Sequence, residues 1–384
     1  MGPVDRQAGL IITVRTMKRV LEVFCSLEKS GGVQAVVMNI FRVIDHKKVV
    51  MDFAVYQNPQ ENSYYDEIIS SGSEVIVVDN PSNCGLYQFY KEFCDLFKSR
   101  HYDAVHAHNI HHNGLILLAA KRAGIPIRIS HSHQAFDERN VSFPRRVMVK
   151  ALCALNNRVA TRRVACSDLA GKFLYGSKSF EFLPNAIDIE RFNLRESKTE
   201  LRKKYNVDIS QKVLIHVGHF YAPKNQFFLI EIMKCLREEN CLLLMAGDGP
   251  LYDEFRQRVC GENLEANIKC LGLRTDVAQL LKLSDCMLLP SIYEGLPVVA
   301  VEAQAVGCHC LLSDVITRQA DLGLGLVDFL LIDEPARWGE AIQNLDRRPD
   351  CPDEELRMQR IKDLSFDVKT NTDRWYELYG VARI

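Results

Sequence analysis

The chain has 384 residues, 47% hydrophobic and 25% charged, with 48 Lys and Arg against 49 Asp and Glu for a net charge of −1. That length allows two domains with sizeable cores, and the balanced charge excludes a general attraction to nucleic acid. No apolar run approaches the ~20 residues of a membrane span, and the apolar stretch 10–14 is too short for a secretory signal. The 13 cysteines contain no C-x2-C pair, and Cys25, Cys166, Cys241 and Cys286 stand in apolar runs. They read as buried free thiols in a reducing compartment, the cytoplasm. In Cys308-His309-Cys310, strand alternation turns the histidine away from both sulfurs, so no metal is expected there.

Residues 1–16 match no later pattern and read as an upstream extension. A first strand is expected at 19–25, then Gly31-Gly32 opening a helix whose Val33, Val36, Val37, Ile40, Phe41 and Ile44 share a face. Strands at 51–55, 74–78, 104–106, 127–130 and 163–166 alternate with helices such as 87–98 and 113–122. This alternation implies a parallel sheet covered by helices on both faces. The pattern breaks around 183–188, LPNAID. A charged helix at 198–205 and a second run of strands follow, at 213–217, 241–246, 268–271, 285–289 and 308–312. A helical segment closes the chain at 367–382.

Residues 284–307 hold the most informative stretch, SDCMLLPSIYEGLPVVAVEAQAVG. A buried strand ends at Pro290, a loop carries Tyr293, Glu294 and Gly295, and Pro297 is expected at the first helical position. Strand, loop and helix N-terminus together favour an anion, because free N–H groups and the helix dipole both face it. Glu294 and Glu302 flank that position and could accept hydrogen bonds from hydroxyls at the two ends of a nucleotide-sugar. Lys224, in the loop after strand 213–217, supplies a point charge for phosphate. Gly31-Gly32 lets a ligand approach the backbone, but without G-x-G-x-x-G no dinucleotide cofactor is expected.

Seven of the 11 histidines lie between residues 101 and 133. His106, His108, His131 and His133 sit at expected strand ends, which face the ligand crevice of a parallel sheet. From 140 to 167 there is no acid, while Arg145, Arg146, Lys150, Arg158, Arg162 and Arg163 accompany Val147, Val149, Ala151, Leu152 and Leu155. That stretch reads equally as a solvated helix or as a basic amphipathic surface for anionic lipid.

These elements resemble the retaining GT-B glycosyltransferases of family four, which build bacterial capsular and exopolysaccharides. The resemblance runs from about Met17 onward and is strongest from 183 to 307. Glu294 and Glu302 match its E-x7-E signature, and LPNAID its P-N-G-[IV]-D element, with Ala186 for glycine. His216-Val217-Gly218-His219 through Lys224-Asn225 matches its V-G-R-x4-K-N element, with His219 where the family has arginine. A histidine lacks the guanidinium fork and its permanent charge.

The resemblance implies α/β architecture, with two doubly wound Rossmann-like domains facing across a cleft. An acceptor-side domain would span 17–190, joined by a helix in 367–384 that crosses back, and a nucleotide-sugar domain 191–366. Glu294 would contact the sugar and Glu302 the ribose. His219 and Lys224 would hold the diphosphate, with the backbone of Gly295, Leu296, Pro297 and Val298. Leu273 would lie against the base, and Gly31 and Gly32 would face the cleft. His131 would approach the transferred sugar, with His108 and His133 beside it on the sugar or acceptor side.

The implied reaction is transfer of a hexose or N-acetylhexosamine, with retention, from a nucleotide-sugar, a UDP-sugar, to a glycan or polyprenyl-diphosphate-linked acceptor. No metal or other cofactor is expected; the nucleotide-sugar is a co-substrate. The protein is expected in the cytoplasm, with peripheral contact to the inner membrane face through 141–163 and no nucleic-acid partner. Nucleotide-sugar epimerases, phosphorylases and non-catalytic partner subunits of the same fold stay open.

Overall fold

The computed structural model describes residues 17–29, 31–133, 142–348 and 351–381. The expected extension 1–16, the start of the basic stretch at Val141 and the end of the closing segment lie outside these residues. Two parallel sheets form. The first holds β1 (Lys18–Phe24), β2 (Val49–Val55), β3 (Val75–Val77), β4 (Ala104–Ala107), β5 (Ile127–Ser132), β6 (Arg162–Ala165) and β7 (Glu181–Phe182), in the order β3-β2-β1-β4-β5-β6-β7. The second holds β8 (Lys212–Val217), β9 (Cys241–Ala246), β10 (Ile268–Gly272), β11 (Cys286–Leu289), β12 (His309–Ser313) and β13 (Val327–Leu330), in the order β10-β9-β8-β11-β12-β13.

Helices cover both faces, which is why a strand such as β9, Cys-Leu-Leu-Leu-Met-Ala, is buried at every position. Each fully buried aliphatic side chain there contributes about 1.5–3 kcal/mol. Helix Gly32–Val43 buries Val36, Val37, Ile40 and Phe41, as their spacing predicts. The strands β7 and β13 were not anticipated. β7 has two residues, and both edge strands are only partly buried, so neither carries an apolar run.

Strand order reverses between β1 and β4 and again between β8 and β11. In open parallel sheets the ligand crevice lies beyond the strand ends at such a switch point. Glu22 on β1 pairs in register with His106 on β4, so the first switch point is lined by an acid and a histidine. At the second, the loop after β8 carries Lys224 and the loop after β11 carries Glu294.

Two crossing segments lie side by side between the units. Ile187 N–H donates to the Phe366 carbonyl at 2.8 Å, and Val368 N–H to the Ile187 carbonyl at 2.9 Å. Helix Val368–Leu378 then packs on the first sheet with Trp375, Leu378 and Tyr379 buried. Asn371 fastens it by donating to the Pro184 carbonyl at 3.2 Å and accepting from Trp375 Nε1 at 2.8 Å. Among the described residues no helix is long and apolar enough to cross a membrane. All 13 cysteines are free thiols. Cys166, Cys241 and Cys286 are buried as expected, whereas Cys25, just past the end of β1, is exposed.

Candidate active site

The loop after β11 is fastened to the loop after β8. Ile292 N–H donates to the Pro223 carbonyl at 2.8 Å. Asn225, in the left-handed region at φ 55, donates from Nδ2 to the Pro290 carbonyl at 3.1 Å. Asparagine tolerates that conformation better than most residues, which accounts for Lys-Asn in this loop. The clasp brings Lys224 Nζ to 2.5 Å from Glu294 Oε1, and Ser291 Oγ donates to the same oxygen at 2.9 Å. Both charged side chains are largely buried, at 14% and 13% exposure. The two residues that the family resemblance placed on phosphate and sugar thus form one ion pair.

Beside this pair, helix Val298–Ala305 begins. Pro297 occupies its cap with extended backbone, φ −71 and ψ 111, rather than the first helical position expected for it. The first-turn N–H groups of a helix have no partners within it, so Val298 and its neighbours present donors at this end. Glu302, five residues into the helix, is only partly exposed. Burial raises its pKa to about 7, opposed by the charge of Arg191. Sequence reading missed Arg191, which follows the crossing segment and carries no motif of its own.

A cavity of about 140 Å³ lies at the ends of β8, β9 and β10, lined by Val217, His219, Asp248, Leu273, Arg274 and Val277 among others. It joins His219 and Leu273, which sequence reading assigned to diphosphate and base. Arg274 stands over it in a two-pronged contact with Asp276, at 2.8 and 2.5 Å. The Gly-Asp-Gly-Pro turn shapes its wall. A Cβ on Gly247, at φ 142, would come 2.0 Å from the Gly218 carbonyl oxygen, so only glycine lets these loops touch. Behind Gly218, His216 is buried and hydrogen-bonded through Nδ1 to the Leu288 carbonyl at 2.9 Å. Burial lowers its pKa to about 4.

On the first sheet, Gly31 caps helix Gly32–Val43. A Cβ there would meet the Gln34 side chain, which folds over the turn and donates from Nε2 to the Ser26 carbonyl at 3.1 Å. Gly32 is exposed. The four strand-end histidines gather on one face with Glu22. His108 Nε2 lies 2.8 Å from Glu22 Oε2, and its Nδ1 lies 2.8 Å from His133 Nε2. His106 Nε2 lies 3.1 Å from His131 Nδ1. Tyr379 donates to Glu22 Oε1 at 2.6 Å. His106 and His108 hold the Glu22 carboxyl at about 2 against the opposing effect of burial. Burial and the neighbouring histidines drive His131 and His133 well below the usual imidazole range.

The structure keeps the histidines that sequence reading grouped together, with the His131 and His133 rings 3.9 Å apart, but gives them different neighbours. His131 is 1% exposed and sits under the closing helix, its ring 6.2 Å from Trp375. His133 is the one connected to the loop after β11, through Asn185: His133 Nδ1 to Asn185 Oδ1 at 3.1 Å, and Asn185 Nδ2 to the Leu296 carbonyl at 3.2 Å. Glu22, Tyr379 and Asn185 were missed as site residues. Nitrogens of His106, His108 and His131 come within 4.8 Å of one another, a span that suits a metal ion. The rings already use those nitrogens on one another and on Glu22, leaving only His131 Nε2 without a partner, so the set does not fit a metal.

Two family models match the chain, "Glycosyltransferase Family 4" over residues 30–191 and "Glycosyl transferases group 1" over 197–345. The chain is 33% identical over 377 residues to EpsF of Bacillus subtilis, a protein named as a glycosyltransferase, covering 96% of this chain and 97% of the other. The chain is a GT-B glycosyltransferase of family four. Other relatives of this glycosyltransferase include CapH of Staphylococcus aureus, named for capsular polysaccharide biosynthesis, at 24% identity over 94% of this chain and 99% of that one. An Escherichia coli enzyme named UDP-Gal:alpha-D-GlcNAc-diphosphoundecaprenol alpha-1,3-galactosyltransferase is 26% identical over 74% of this chain and 76% of its own. Among solved structures, Anabaena HepE in complex with UDP superposes with a TM-score of 0.75 at 18% identity, covering 95% of the glycosyltransferase and 100% of HepE. That likeness shows the shared GT-B fold.

Proposed function

We propose that this glycosyltransferase moves a hexose or N-acetylhexosamine from a UDP-sugar, with retention, onto a lipid-linked glycan during surface polysaccharide assembly. The Lys224–Glu294 pair at the start of helix Val298–Ala305 carries the reading. A cation, a carboxylate and a helix N-terminus meet at a strand-order switch point, where an anionic ligand with sugar hydroxyls is best held. Relatives named for a UDP-galactose donor, a diphosphoundecaprenol acceptor and capsular polysaccharide support the substrate class.

In this reading Lys224 and the backbone N–H groups around Gly295 to Val298 stabilise negative charge on the departing diphosphate. Lys224 and the helix dipole supply the positive field, so no metal is required. Glu294 orients the sugar by accepting from its hydroxyls, and Glu302 accepts from the ribose. The uracil takes the cavity beside Leu273, and His219 lies at its mouth near the diphosphate. His133, linked to the donor loop through Asn185, is the sugar-side histidine; His131 and His108 support it from behind. Gly31 and Gly32 let the donor approach the backbone on the opposite wall. No covalent nucleophile is assigned.

Helix Phe143–Val159 gives the membrane reading a specific face. Val149 and Leu152 are buried in the first domain, which corrects their expected place on a lipid-facing surface. Phe143 and Val147 stay 75% and 52% exposed and share a face with exposed Lys150, while Arg145 is exposed elsewhere on the first turn. We assign this face to an anionic bilayer carrying the lipid-linked acceptor.

The deciding experiment incubates the protein with UDP-glucose, UDP-galactose and their N-acetyl forms. Slow release of UDP supports a transferase. Interconversion without release marks an epimerase, and binding without turnover a non-catalytic subunit; a parallel incubation with a glycan and inorganic phosphate tests for a phosphorylase, marked by sugar-1-phosphate formation.

A further inference from the structure

Five hydrogen-bonding groups connect the closing helix to the donor loop: Tyr379, Glu22, His108, His133 and Asn185. The direction of each bond is fixed from the Leu296 end. A carbonyl only accepts, so Asn185 must turn its amide Nδ2 toward Leu296 and its Oδ1 toward His133. His133 must then donate from Nδ1. As a neutral ring it accepts at Nε2, so His108 must donate from Nδ1. The second nitrogen of His108 faces a carboxylate oxygen at 2.8 Å. If His108 were neutral and Glu22 ionised, two bare acceptors would be pressed together with nothing between them.

We infer that Glu22 and His108 share one buried proton, and that this pair is a positioning device that sets the hydrogen bond between Asn185 and the Leu296 carbonyl. Without that proton the chain must run backwards. His108 would donate to Glu22, His133 would donate from Nε2 to His108, and its bare Nδ1 would demand the Asn185 amide. Asn185 would turn over, placing its oxygen against the Leu296 carbonyl, and the link to the donor loop would open. The inference rests on the reading of residues 291–297 as the donor loop for its functional meaning, though not for its chemistry.

Other groups face the pair without disturbing this order. His106 Nδ1 lies 3.4 Å from Glu22 Oε2 and 3.3 Å from the Tyr379 hydroxyl. As the Nδ1–H form it accepts from His131 Nδ1, which leaves His131 Nε2 bare, in accord with the absence of a partner there. Cys166 Sγ donates to the His133 carbonyl at 3.3 Å and takes no part in the ring contacts. Phe24 and Trp375 close the two sides, with ring centroids 4.7 and 6.4 Å from His108. Burial and His106 draw the His108 pKa down to about 4, opposed by Glu22; the hydrogen-bond order fixed from the Leu296 carbonyl is the stronger constraint, since a deprotonated pair keeps its own contact only by reversing that order.

The test uses full-length protein carrying 15N-labelled histidine and asparagine, followed by NMR across pH. His108 is assigned by its loss in His108→Gln, and Asn185 by its loss in Asn185→Ala. In the wild-type protein at neutral pH, with one proton shared between Glu22 and His108, His108 Nδ1 should also carry its proton toward His133, seen as an Nδ1 shifted away from the bare-nitrogen range. On raising pH, its loss and a change in the Asn185 side-chain amide should share one midpoint. In Glu22→Gln the new amide donates to His108 Nε2 permanently, so the Asn185 signal should no longer respond. Tyr379→Phe removes a donor from the carboxylate, which holds its proton more tightly, so the midpoint should rise by roughly one unit. A bare His108 Nδ1 in the wild type at neutral pH, or an Asn185 amide indifferent to the His108 titration, overturns the inference. UDP affinity measured over the same pH range separates the two readings. Absence of UDP binding defeats the proposed donor site, while the NMR signals still decide the shared proton.

Discussion

Lys224 Nζ and Glu294 Oε1 are 2.5 Å apart, so the groups proposed to hold the diphosphate and the sugar neutralise each other in the free protein. A charge-assisted contact between largely buried partners leaves a costly unpaired charge when either is removed. A donor resolves this differently, by offering phosphate to the lysine and hydroxyls to the carboxylate. Lys224→Met should therefore lower kcat/KM by about 10²–10³-fold, in line with losing one group that stabilises a departing anion. Glu294→Gln should keep UDP binding and lose turnover. UDP calorimetry with UDP-release kinetics checks both; equal loss of UDP affinity in the two variants would contradict the division of roles.

Glu302 predicts a pH effect. Its ordinary value of 4.5 rises to about 7 through burial, so the folded protein binds a proton that the unfolded chain does not hold. Stability is fully present below about pH 4.5 and declines as pH climbs through 7, by up to about 3 kcal/mol. Ribose hydroxyls donate best to the ionised form, so nucleotide binding should expel that proton and tighten as pH rises toward 8. Calorimetry in buffers of different ionisation enthalpy should show proton release for the wild type and none for Glu302→Gln.

His219→Arg is expected to strengthen UDP-sugar affinity roughly tenfold, because a guanidinium brings a permanent charge and paired donors to phosphate. Direct titration of both proteins at neutral pH is sufficient. Unchanged affinity would confine His219 to the wall of the cavity beside Leu273 and remove it from the diphosphate.

The exposed face of helix Phe143–Val159 is expected to drive binding to anionic vesicles. Arg145→Gln with Lys150→Gln should weaken partitioning by about 2 kcal/mol, roughly thirtyfold, at low salt. Phe143→Ser should weaken it at any salt. Release of UDP from a soluble donor should persist in both variants, as vesicle flotation and kinetics would show.

Much of the fold is visible in short-range pattern. The runs that became β8, β9 and β11 are apolar and end in Gly, Pro or Ser, and the helix at Gly32–Val43 keeps its three-and-four spacing. Lys224, Glu294 and Glu302 are also visible, since a strand end followed by a loop acid and a helix constrains them locally. Glu22 was not. Set in Val-Leu-Glu-Val-Phe, it looks like one tolerated acid in a strand, and its partner Tyr379 lies 357 positions away. The strand-end histidines were also visible. Residues i and i+2 share a strand face, yet nothing local tells that helix Val368–Leu378 would roof His131 while His133 reaches Asn185. Pro297 shows the limit of boundary reading: capping and first-turn positions differ by one residue and one ψ angle.

The passage of Val368–Leu378 back onto the first sheet also bears on how the molecule is made. During synthesis β1 to β7 leave the ribosome while the helix that covers Glu22 is still untranslated. The first half must therefore wait, its acid and four imidazoles open to water, until the second half has been made. The two halves reach completion together, although one of them was synthesised long before.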